Sequence, residues 1–529
     1  MSSISRRSFV KSIAGATALV QSPIALEGFA QTHLPAANFD LSPLGKIKPR
    51  PSLSIAASPL SVGFETLDRK MFDPEQTYPH LAELGAKWAR VQSGWARTER
   101  TKGEYDFSWL DEVVDSLRKI GIQPWFNLGY GNRLYTPQAP HESAVGWVPL
   151  GHDEARKAWL NYVRKTAEHY RSRVQHWEIW NEPNIPGFWQ PNKPKADDYV
   201  ELVKMTAPEI RKRVPEAVII GGAFASIPQV LDYLERCMTL GMGECVDKVS
   251  YHPYRPIPEA NYETEVRALR GLLARYKAGI EIWQGENGCP SQSGGTGALA
   301  DLNWNEERQA KWLLRRSLSD LRLNVELTSY FHTVDLVNYV WATGQSGKTN
   351  FKGLLRGNTY TRKPSYYAYQ SLCALFDSET KRTDLLVSFS KPIAEAGKGH
   401  DEVANPQTIC SASFLRHGHP LYAYWYPADL QKDFPRHQVR LLLWSGQAGQ
   451  LSNPVLANPL IGKIYRIDRA KRSGGFWTLD SMPLVDYPLL IADSDEILRG
   501  TDSAASGSEH RQKTLGPDRE SNLCATAVS

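Results

Sequence analysis

Cysteine is scarce in this chain, and its spacing excludes two common kinds of site. The 529 residues include six cysteines, at positions 237, 245, 289, 373, 410 and 524. No two of them have the Cys-x-x-Cys spacing that is typical of zinc sites and redox motifs. Cys237 and Cys245 are close enough in sequence to pair in an oxidising compartment, or they are two ordinary buried thiols.

Strong charge and long apolar runs are lacking as well. The net charge is only +5, and no cluster of Lys and Arg indicates a basic groove, so nothing favours nucleic-acid binding. The apolar stretch near the N-terminus, 13–20, is far too short to span a bilayer. No Gly-x-Gly-x-x-Gly follows a predicted strand, which weakens a doubly wound, dinucleotide-binding fold.

Aromatic residues are abundant, with 16 Trp and 23 Tyr. Their flat apolar faces and polar edges suit the stacking of sugar rings, although many of them fill the core of any large domain. We consider four tryptophans as candidate platforms for a sugar: Trp95, Trp180, Trp189 and Trp283.

The first thirty residues have the features of an export signal. The run Ser5-Arg6-Arg7-Ser8-Phe9-Val10-Lys11 precedes the short apolar stretch, and Gly28-Phe29-Ala30 offers small residues for cleavage. Residues 1–30 resemble a twin-arginine signal. This resemblance implies a bacterial protein that the twin-arginine translocase exports in its folded state, to the periplasm or as a secreted protein. Residues 31–59, rich in Pro, Ser and Ala, predict a linker.

From Ser61 onward, short apolar runs alternate with helical patterns. Eight strands each followed by a helix, over residues 60–377, predict a (β/α)8 barrel. After residue 380 the pattern changes to short β-rich runs separated by turns, which predicts a β-sandwich over 380–495. The Ser-, Gly- and charge-rich residues 496–529 predict a disordered tail. The eight predicted barrel strands lie at 61–65, 88–92, 123–130, 174–180, 218–223, 248–254, 280–286 and 327–333.

Two glutamates end predicted strands that should face each other across the barrel mouth, where such barrels carry out their chemistry. Glu182 ends the fourth strand, just before Pro183, and Glu286 ends the seventh, just before Asn287-Gly288. Glycoside cleavage needs such a pair, because one carboxyl protonates the leaving oxygen while the other attacks the anomeric carbon. The tryptophans around Glu182 should raise its pKa, which suits an acid.

Other residues at the strand ends are predicted to support this pair. Arg90 should keep Glu286 ionised, Tyr254 could donate a hydrogen bond to the same carboxylate, and Asn181 could bind a sugar 2-hydroxyl. The full set that we predict as substrate-binding or supporting residues is Arg90, Asn181, His252, Tyr254, Glu65, Asn127 and Trp283.

The same residues carry a resemblance to the clan A glycoside hydrolases. The motifs are Asn181-Glu182-Pro183, Glu286, Arg90 and His252-Pro253-Tyr254, and the trailing β domain is most similar to that of glycoside hydrolase family 39, which includes β-xylosidases and α-L-iduronidases. The resemblance implies that Glu182 is the acid/base and Glu286 the nucleophile. Many clan members have a Trp at the tip of strand eight, whereas this chain has Phe331 nearby and its nearest Trp at Trp341, so the residue that forms the subsite floor stays open.

These observations lead to the hypothesis of an exported, retaining glycosidase that is β-xylosidase-like and acts on plant or bacterial polysaccharide fragments. The mechanism needs no metal and no organic cofactor. An endo-acting exopolysaccharide glycosidase with the same mechanism is an alternative, and the loops 133–152 and 291–303 should decide between a closed and an open cleft. A non-catalytic sugar-binding barrel and a transglycosidase are further alternatives, the first disfavoured by the intact glutamate pair.

Overall fold

The computed structural model describes residues 39–226, 230–341, 343–391, 408–447 and 450–499. The predicted signal sequence and most of the predicted tail lie outside these residues. A first strand, β1 (Pro43–Lys46), precedes the barrel. The barrel strands are β2 (Leu60–Gly63), β3 (Trp88–Gln92), β4 (Gln123–Leu128), β5 (His176–Ile179), β6 (Val218–Ala225), β7 (Lys248–His252), β8 (Glu281–Asn287) and β9 (Leu327–Tyr330).

Strands β2 to β9 form a closed barrel in which every neighbouring pair is parallel. This confirms the predicted fold class. The helices that surround and cap the barrel are α1 (Tyr78–Leu84), α2 (Trp95–Thr98), α3 (Ser108–Lys119), α4 (Asp153–Tyr170), α5 (Ala196–Arg211), α6 (Leu231–Thr239), α7 (Tyr262–Tyr276), α8 (Glu306–Arg322) and α9 (Pro364–Leu375).

Helix α3 illustrates how the sequence pattern becomes structure. Its apolar residues at positions i, i+3, i+4 and i+7 are all buried, as the periodicity predicts. Gly121 follows the helix with a φ of +85°, and a Cβ there would lie 2.6 Å from the Cα of Leu53. Glycine therefore ends the helix where the chain must turn left-handed against a neighbouring backbone.

The C-terminal β domain consists of two antiparallel sheets, as predicted. A hairpin, β10 (Val340–Trp341) and β11 (Gly344–Gln345), lies before it in the loop after β9. The strands of the domain are β12 (Thr380–Arg382), β13 (Val387–Ser390), β14 (Cys410–Arg416), β15 (His419–Trp425), β16 (His437–Trp444), β17 (Pro454–Asn458), β18 (Lys463–Arg466), β19 (Ala470–Ser473), β20 (Phe476–Leu484) and β21 (Leu489–Asp493). The strand order is β1-β18-β17-β21-β15-β14-β12 in one sheet and β13-β16-β20-β19 in the other.

The β domain extends at both ends into segments that were predicted as a linker and as a disordered tail. Within the predicted linker 31–59, strand β1 pairs antiparallel with β18, so this segment is an edge strand of the larger sheet. At the other end, helix α10 (Ser494–Arg499) overlaps the start of the predicted tail. An edge strand whose partner lies more than 400 residues away has no local sequence pattern, because the partner supplies its hydrogen bonds.

Buried polar contacts join the barrel to the β domain. Arg315 of α8 donates to both carboxylate oxygens of Glu259 and to the carbonyl of Ala428, and the indole of Trp425 donates to Glu259. The cysteines in the described ranges are free thiols, so Cys237 and Cys245 are not paired. Among the described helices, none has both the length and the apolar character that a membrane crossing requires.

Candidate active site

Glu182 is presented by a left-handed turn just beyond β5. The strand ends at Ile179, and both Trp180 and Glu182 then adopt positive φ, +69° and +46°. Such a conformation costs non-glycine residues roughly 1–2 kcal/mol each, so it is retained only where neighbouring structure holds it. Here the amide of Glu182 donates to the carbonyl of Ala223 at 2.9 Å, which fastens the turn to β6.

Glu286 lies in β8 and receives two directed hydrogen bonds. The guanidinium of Arg90 donates to its Oε2 at 2.7 Å, and the hydroxyl of Tyr254 donates to its Oε1 at 2.8 Å. Charge-assisted hydrogen bonds such as that from Arg90 are about twice as strong as neutral ones. The two donors therefore hold the carboxyl group of Glu286 in one orientation, which a nucleophile needs.

The two glutamates approach each other closely at the barrel mouth. One carboxylate oxygen of Glu182, one of Glu286 and a ring nitrogen of His252 all lie within 4.8 Å of one another. His252 Nδ1 is 2.9 Å from Glu182 Oε1 and 3.9 Å from Glu286 Oε2. This separation is close to the roughly 5–5.5 Å between carboxyl groups that is typical of retaining glycosidases.

Arg90 connects this pair to the interior of the barrel. It is fully buried, and its five N–H groups are directed at Glu178, Glu286, Glu65 and Asn181. Since a guanidinium has five donors in a fixed plane, it sets the relative positions of all four acceptors at once. Its bond to Asn181 Oδ1 leaves the Nδ2 of that residue as the amide group available to a substrate hydroxyl.

The surroundings shift the pKa values of Glu182 and His252 in opposite directions. Burial, and then the negative charge of Glu286, raise the pKa of Glu182 well above its ordinary value, while Arg90 opposes the shift. Burial and the charge of Arg90 hold the pKa of His252 well below its usual range, so the imidazole is neutral. The surroundings of Glu182 thus favour its protonated form beside Glu286, an arrangement that suits an acid and a nucleophile.

Glu65 is a third carboxyl group in the site. Burial raises its pKa to about 8, with Arg90 lowering it and the charge of Glu286 raising it further. It lies 3.2 Å from Arg90 Nη1, and its Oε2 has no hydrogen-bond partner among the described residues. A neutral carboxyl in this position can donate a hydrogen bond to a sugar hydroxyl, the role that the sequence predicted for it.

A cavity of about 270 Å³ opens above these groups. Six of the nine predicted site residues line it together with further polar and aromatic side chains, whereas Arg90, Asn127 and Trp283 do not. The cavity walls include Glu65, Asn181, Glu182, His252, Tyr254, Glu286, Arg69, Gln92, Tyr130, Phe188, Phe331, Tyr339, Trp341, Asn350 and Lys352. Arg90 lies directly beneath, bonded to Glu286.

Asn127 and Trp283 are placed elsewhere, contrary to the roles suggested for them. Asn127 is fully buried, and its amide donates to Glu178 and to the carbonyl of Trp180, so it orients the network below the cavity. Trp283 packs with Trp125 and other apolar side chains inside the barrel, near the N-terminal ends of the strands. Trp95, Trp180 and Trp189 are likewise core residues with no exposed surface.

Comparison with known proteins gives this geometry a family context. Residues 89–276 match the model of Glycosyl hydrolases family 39. The matched region includes Arg90, Glu182 and His252 and ends before Glu286. A β-xylosidase from Caldicellulosiruptor saccharolyticus is 27% identical over 227 residues, which cover 38% of this chain and 44% of that protein. A β-xylosidase from Geobacillus stearothermophilus is 26% identical over 160 residues, 28% of this chain and 31% of that protein.

Solved structures extend the similarity of fold across most of the chain. A family 39 glycoside hydrolase from Bacteroides cellulosilyticus WH2 has a TM-score of 0.59 and 18% identity, covering 83% of this chain and 81% of its own. A monomeric β-xylosidase from Caulobacter crescentus CB15 has a TM-score of 0.53 and 18% identity, covering 85% of this chain and 97% of its own. The solved structures show a shared fold, and the alignments with the two curated β-xylosidases span less than half of either protein.

Two aromatic side chains at and after the end of β9 line the cavity. Phe331 is at the tip of β9, the position where the resemblance to clan A glycoside hydrolases implies a Trp. Trp341 stands on another wall, with its ring 4.7 Å from that of Phe188. Phe331 and Trp341 thus provide two separate apolar surfaces for a sugar.

Sequence reasoning missed several residues of the site. Glu178 accepts hydrogen bonds from Arg90, Asn127 and Ser250. It lies in the predicted strand 174–180 and could have been found from strand alternation. Lys352 and Asn350 lie in the long loop after β9, which carries no motif. Only the fold brings that loop to the barrel mouth.

The donor set of Glu182, His252 and Glu286 also resembles that of a metal site. The guanidinium of Arg90, however, lies 2.7 Å from Glu286 Oε2, the same oxygen that lies 3.9 Å from His252 Nδ1. A permanent positive charge at that distance opposes the binding of a divalent cation, so the residues present fit an acid and a nucleophile better than a metal.

Proposed function

We propose that this protein is a retaining O-glycoside hydrolase in which Glu182 is the acid/base and Glu286 the nucleophile. The observation that carries the proposal is the close pair of carboxyl groups with different surroundings. Glu182 is buried beside neutral His252, whereas Glu286 accepts hydrogen bonds from Arg90 and Tyr254. Their oxygens lie within 4.8 Å, which leaves too little room for the water that an inverting mechanism activates.

The reaction follows in two steps. Glu182 transfers its proton to the glycosidic oxygen while Glu286 attacks the anomeric carbon, so the bond to the leaving alcohol breaks and a glycosyl ester forms. Glu182, now a carboxylate, removes a proton from water as the water attacks the anomeric carbon and releases Glu286. The free carboxyl and carboxylate are then restored, and the configuration is retained.

For the substrate, we propose a β-xylosidase-like, exo-acting enzyme on fragments of plant or bacterial polysaccharides. Two relatives are named as β-xylosidases, and the cavity of about 270 Å³ is near the lower end of the roughly 300–1,000 Å³ typical of ligand pockets. Gly297 and Ala298 of the loop 291–303 line the cavity, which favours a closed pocket. An endo-acting enzyme would instead need a cleft open at both ends.

The mechanism is tested with Glu182→Gln and Glu286→Gln on activated aryl glycosides. Both variants should lose nearly all hydrolysis, whereas Glu281→Gln, at the exposed start of the same strand as Glu286, should not. In the alanine variants at 182 and 286, azide should partly restore turnover, and the anomer of the glycosyl azide, read by NMR, reports which role was lost. Near-normal activity of either Gln variant would exclude the assignment.

We also infer export by the twin-arginine route to the periplasm or the medium, from residues 5–11 alone. Fractionation of expressing cells provides the test. Replacing Arg6 and Arg7 with lysines should retain the precursor in the cytoplasm, and unchanged export of that variant would contradict the inference.

A further inference from the structure

Lys352 is a buried cation on the wall of the active-site cavity. Only 1% of its surface is exposed, and among the described residues its Nζ has one hydrogen bond, to Asn350 Oδ1 at 3.3 Å. An ammonium has three donors, so the described residues leave two of them unpaired. Burial lowers the pKa of Lys352 to about 8, while nearby Cys289 and Glu286 oppose the shift, so the group is still mainly protonated at neutral pH.

The other basic side chains at the cavity have carboxylate partners. Arg90 contacts Glu286 and Glu178, and Arg69 contacts Asp68 at 3.2 Å. For Lys352, no carboxylate among the described residues lies within the 4.0 Å of an ion pair. Removing a charge from water without a partner is unfavourable, and proteins rarely retain such a group unless something pairs with it.

The surroundings of the ammonium form a small recess. A Cβ at Gly297 would lie 2.9 Å from both Lys352 Nζ and Asn350 Nδ2, so these two donors lie side by side beneath a residue without a side chain. Gly297 also has φ of +89°, a conformation that disfavours any larger residue. An ammonium and an amide N–H next to each other can bind two oxygens of one anion.

We propose that Lys352, with Asn350, binds an anionic substituent on the sugar that occupies the cavity. The proposal rests on the proposed glycoside hydrolysis and assigns as preferred substrates, in place of neutral xylosides, glycosides that carry a carboxylate, sulfate or phosphate group. Such a group supplies the missing partner of the buried ammonium.

The recess belongs to the subsite where the bond is cleaved. The Nζ of Lys352 lies 5.8 Å from the ring centre of Tyr254, and the hydroxyl of that tyrosine bonds Glu286. One aromatic ring therefore separates the ammonium from the nucleophile. A substituent on the sugar attacked by Glu286 can reach Lys352, whereas a substituent several sugars away cannot.

The test compares aryl glycosides that share one ring and differ in charge. The probes are 4-nitrophenyl β-D-glucuronide and the 6-sulfate and 6-phosphate of 4-nitrophenyl β-D-glucoside, each against the uncharged glucoside. Lys352→Met should lower the ratio of kcat/KM for the preferred anionic probe to that for the neutral one by about 10- to 100-fold, the loss expected for a charge-assisted hydrogen bond. The anion that shows the largest effect identifies the source of the charge.

Two further variants keep the proposal falsifiable. Lys348→Met removes an exposed lysine from the same loop and should leave the ratio unchanged. Asn350→Asp places a carboxylate beside the ammonium, so it should abolish the preference for the anionic probe while the protein stays folded. If Lys352→Met lowers kcat/KM for charged and neutral probes by the same factor, Lys352 acts only on Glu286, and the proposal is wrong.

Binding separates this proposal from the glycosidase assignment. Thermal shifts of the wild type are measured with D-glucuronate, glucose 6-sulfate and glucose 6-phosphate, each against glucose. If one anionic sugar stabilises the wild type more than glucose does, and Lys352→Met removes that extra stabilisation, anion binding by Lys352 is supported even if no glycoside is hydrolysed. Equal shifts for charged and neutral sugars overturn it, even if neutral aryl xylosides are cleaved through Glu182 and Glu286.

Discussion

The role of Glu182 is best isolated by Glu182→Gln together with a series of leaving groups. Glutamine keeps the size and hydrogen-bonding shape of the side chain but has no proton to transfer. General acid catalysis contributes about 10²–10⁴-fold, so kcat/KM for a phenyl glycoside, whose leaving group needs a proton, should fall by that factor. The leaving group of a 2,4-dinitrophenyl glycoside departs as a stable phenolate anion without needing a proton. Formation of the glycosyl-enzyme from this substrate should therefore be nearly unaffected by Glu182→Gln.

The pH dependence provides the second half of this prediction. Burial and the charge of Glu286 raise the pKa of Glu182 well above 4.5. A carboxyl with the ordinary pKa of 4.5 is only about 1% protonated at pH 6.5, and an enzyme that depends on it would lose about 100-fold in kcat/KM by that pH. The wild type should instead keep its activity there and lose it only as the pH passes the raised pKa.

The assay is the pH profile of kcat/KM for the phenyl glycoside, in the wild type and in Glu182→Gln. The alkaline limb should disappear in the variant, because glutamine does not titrate. The reasoning fails if wild-type activity already declines tenfold per pH unit just above pH 4.5, or if the variant slows all leaving groups equally.

Three further predictions concern the groups around this acid. Arg90→Met should lower the free energy of unfolding by about 3–5 kcal/mol, because it leaves buried carboxylates without their partner. Lys102→Met removes an exposed ion pair with Glu154 and should cost at most about 1 kcal/mol. Denaturant titration followed by tryptophan fluorescence compares the two variants, and equal losses would contradict the argument. Tyr254→Phe removes a hydrogen bond to a carboxylate and should lower kcat by about 10- to 100-fold, so a change below threefold in steady-state kinetics would show that the bond has no catalytic role. Trp341→Ala should raise KM, because it removes part of the cavity wall, whereas Trp283→Phe, inside the barrel, should leave KM unchanged. A larger increase in KM from Trp283→Phe would contradict the placement of Trp341 at the substrate site.

The features that could be predicted are those encoded over a few neighbouring residues. A short apolar run, a glutamate and a strand-breaking residue identify both Glu182 and Glu286, and the rhythm of such runs predicts the barrel. Which residues reach the cavity depends also on their depth along a strand. Asn127 pairs in register with Glu178, and Trp283 pairs with Leu327. Both residues are on barrel strands, but they lie deeper than the strand ends that form the barrel mouth.

Contacts made by long loops are beyond such reasoning. Lys352 and Trp341 belong to the loop after β9, where no apolar period or turn motif indicates an orientation. Their positions follow from packing against the walls of a barrel already formed, for example the carbonyl of Lys352 accepting from the amide of His332. Sequence patterns describe local geometry, whereas these residues are placed by partners far along the chain.

The edge strand β1 affects when the β domain can fold and where it can be truncated. Gly45 pairs with Ile464, a separation of 464 − 45 = 419 residues, so the larger sheet of the β domain is completed only after almost the whole chain has been synthesised. Contacts of such long range slow folding. A truncated β domain that begins near residue 380 would expose the edge of β18, which invites association with other chains. A soluble fragment of this domain would have to carry residues 43–46 as well, joined by a new linker or by circular permutation.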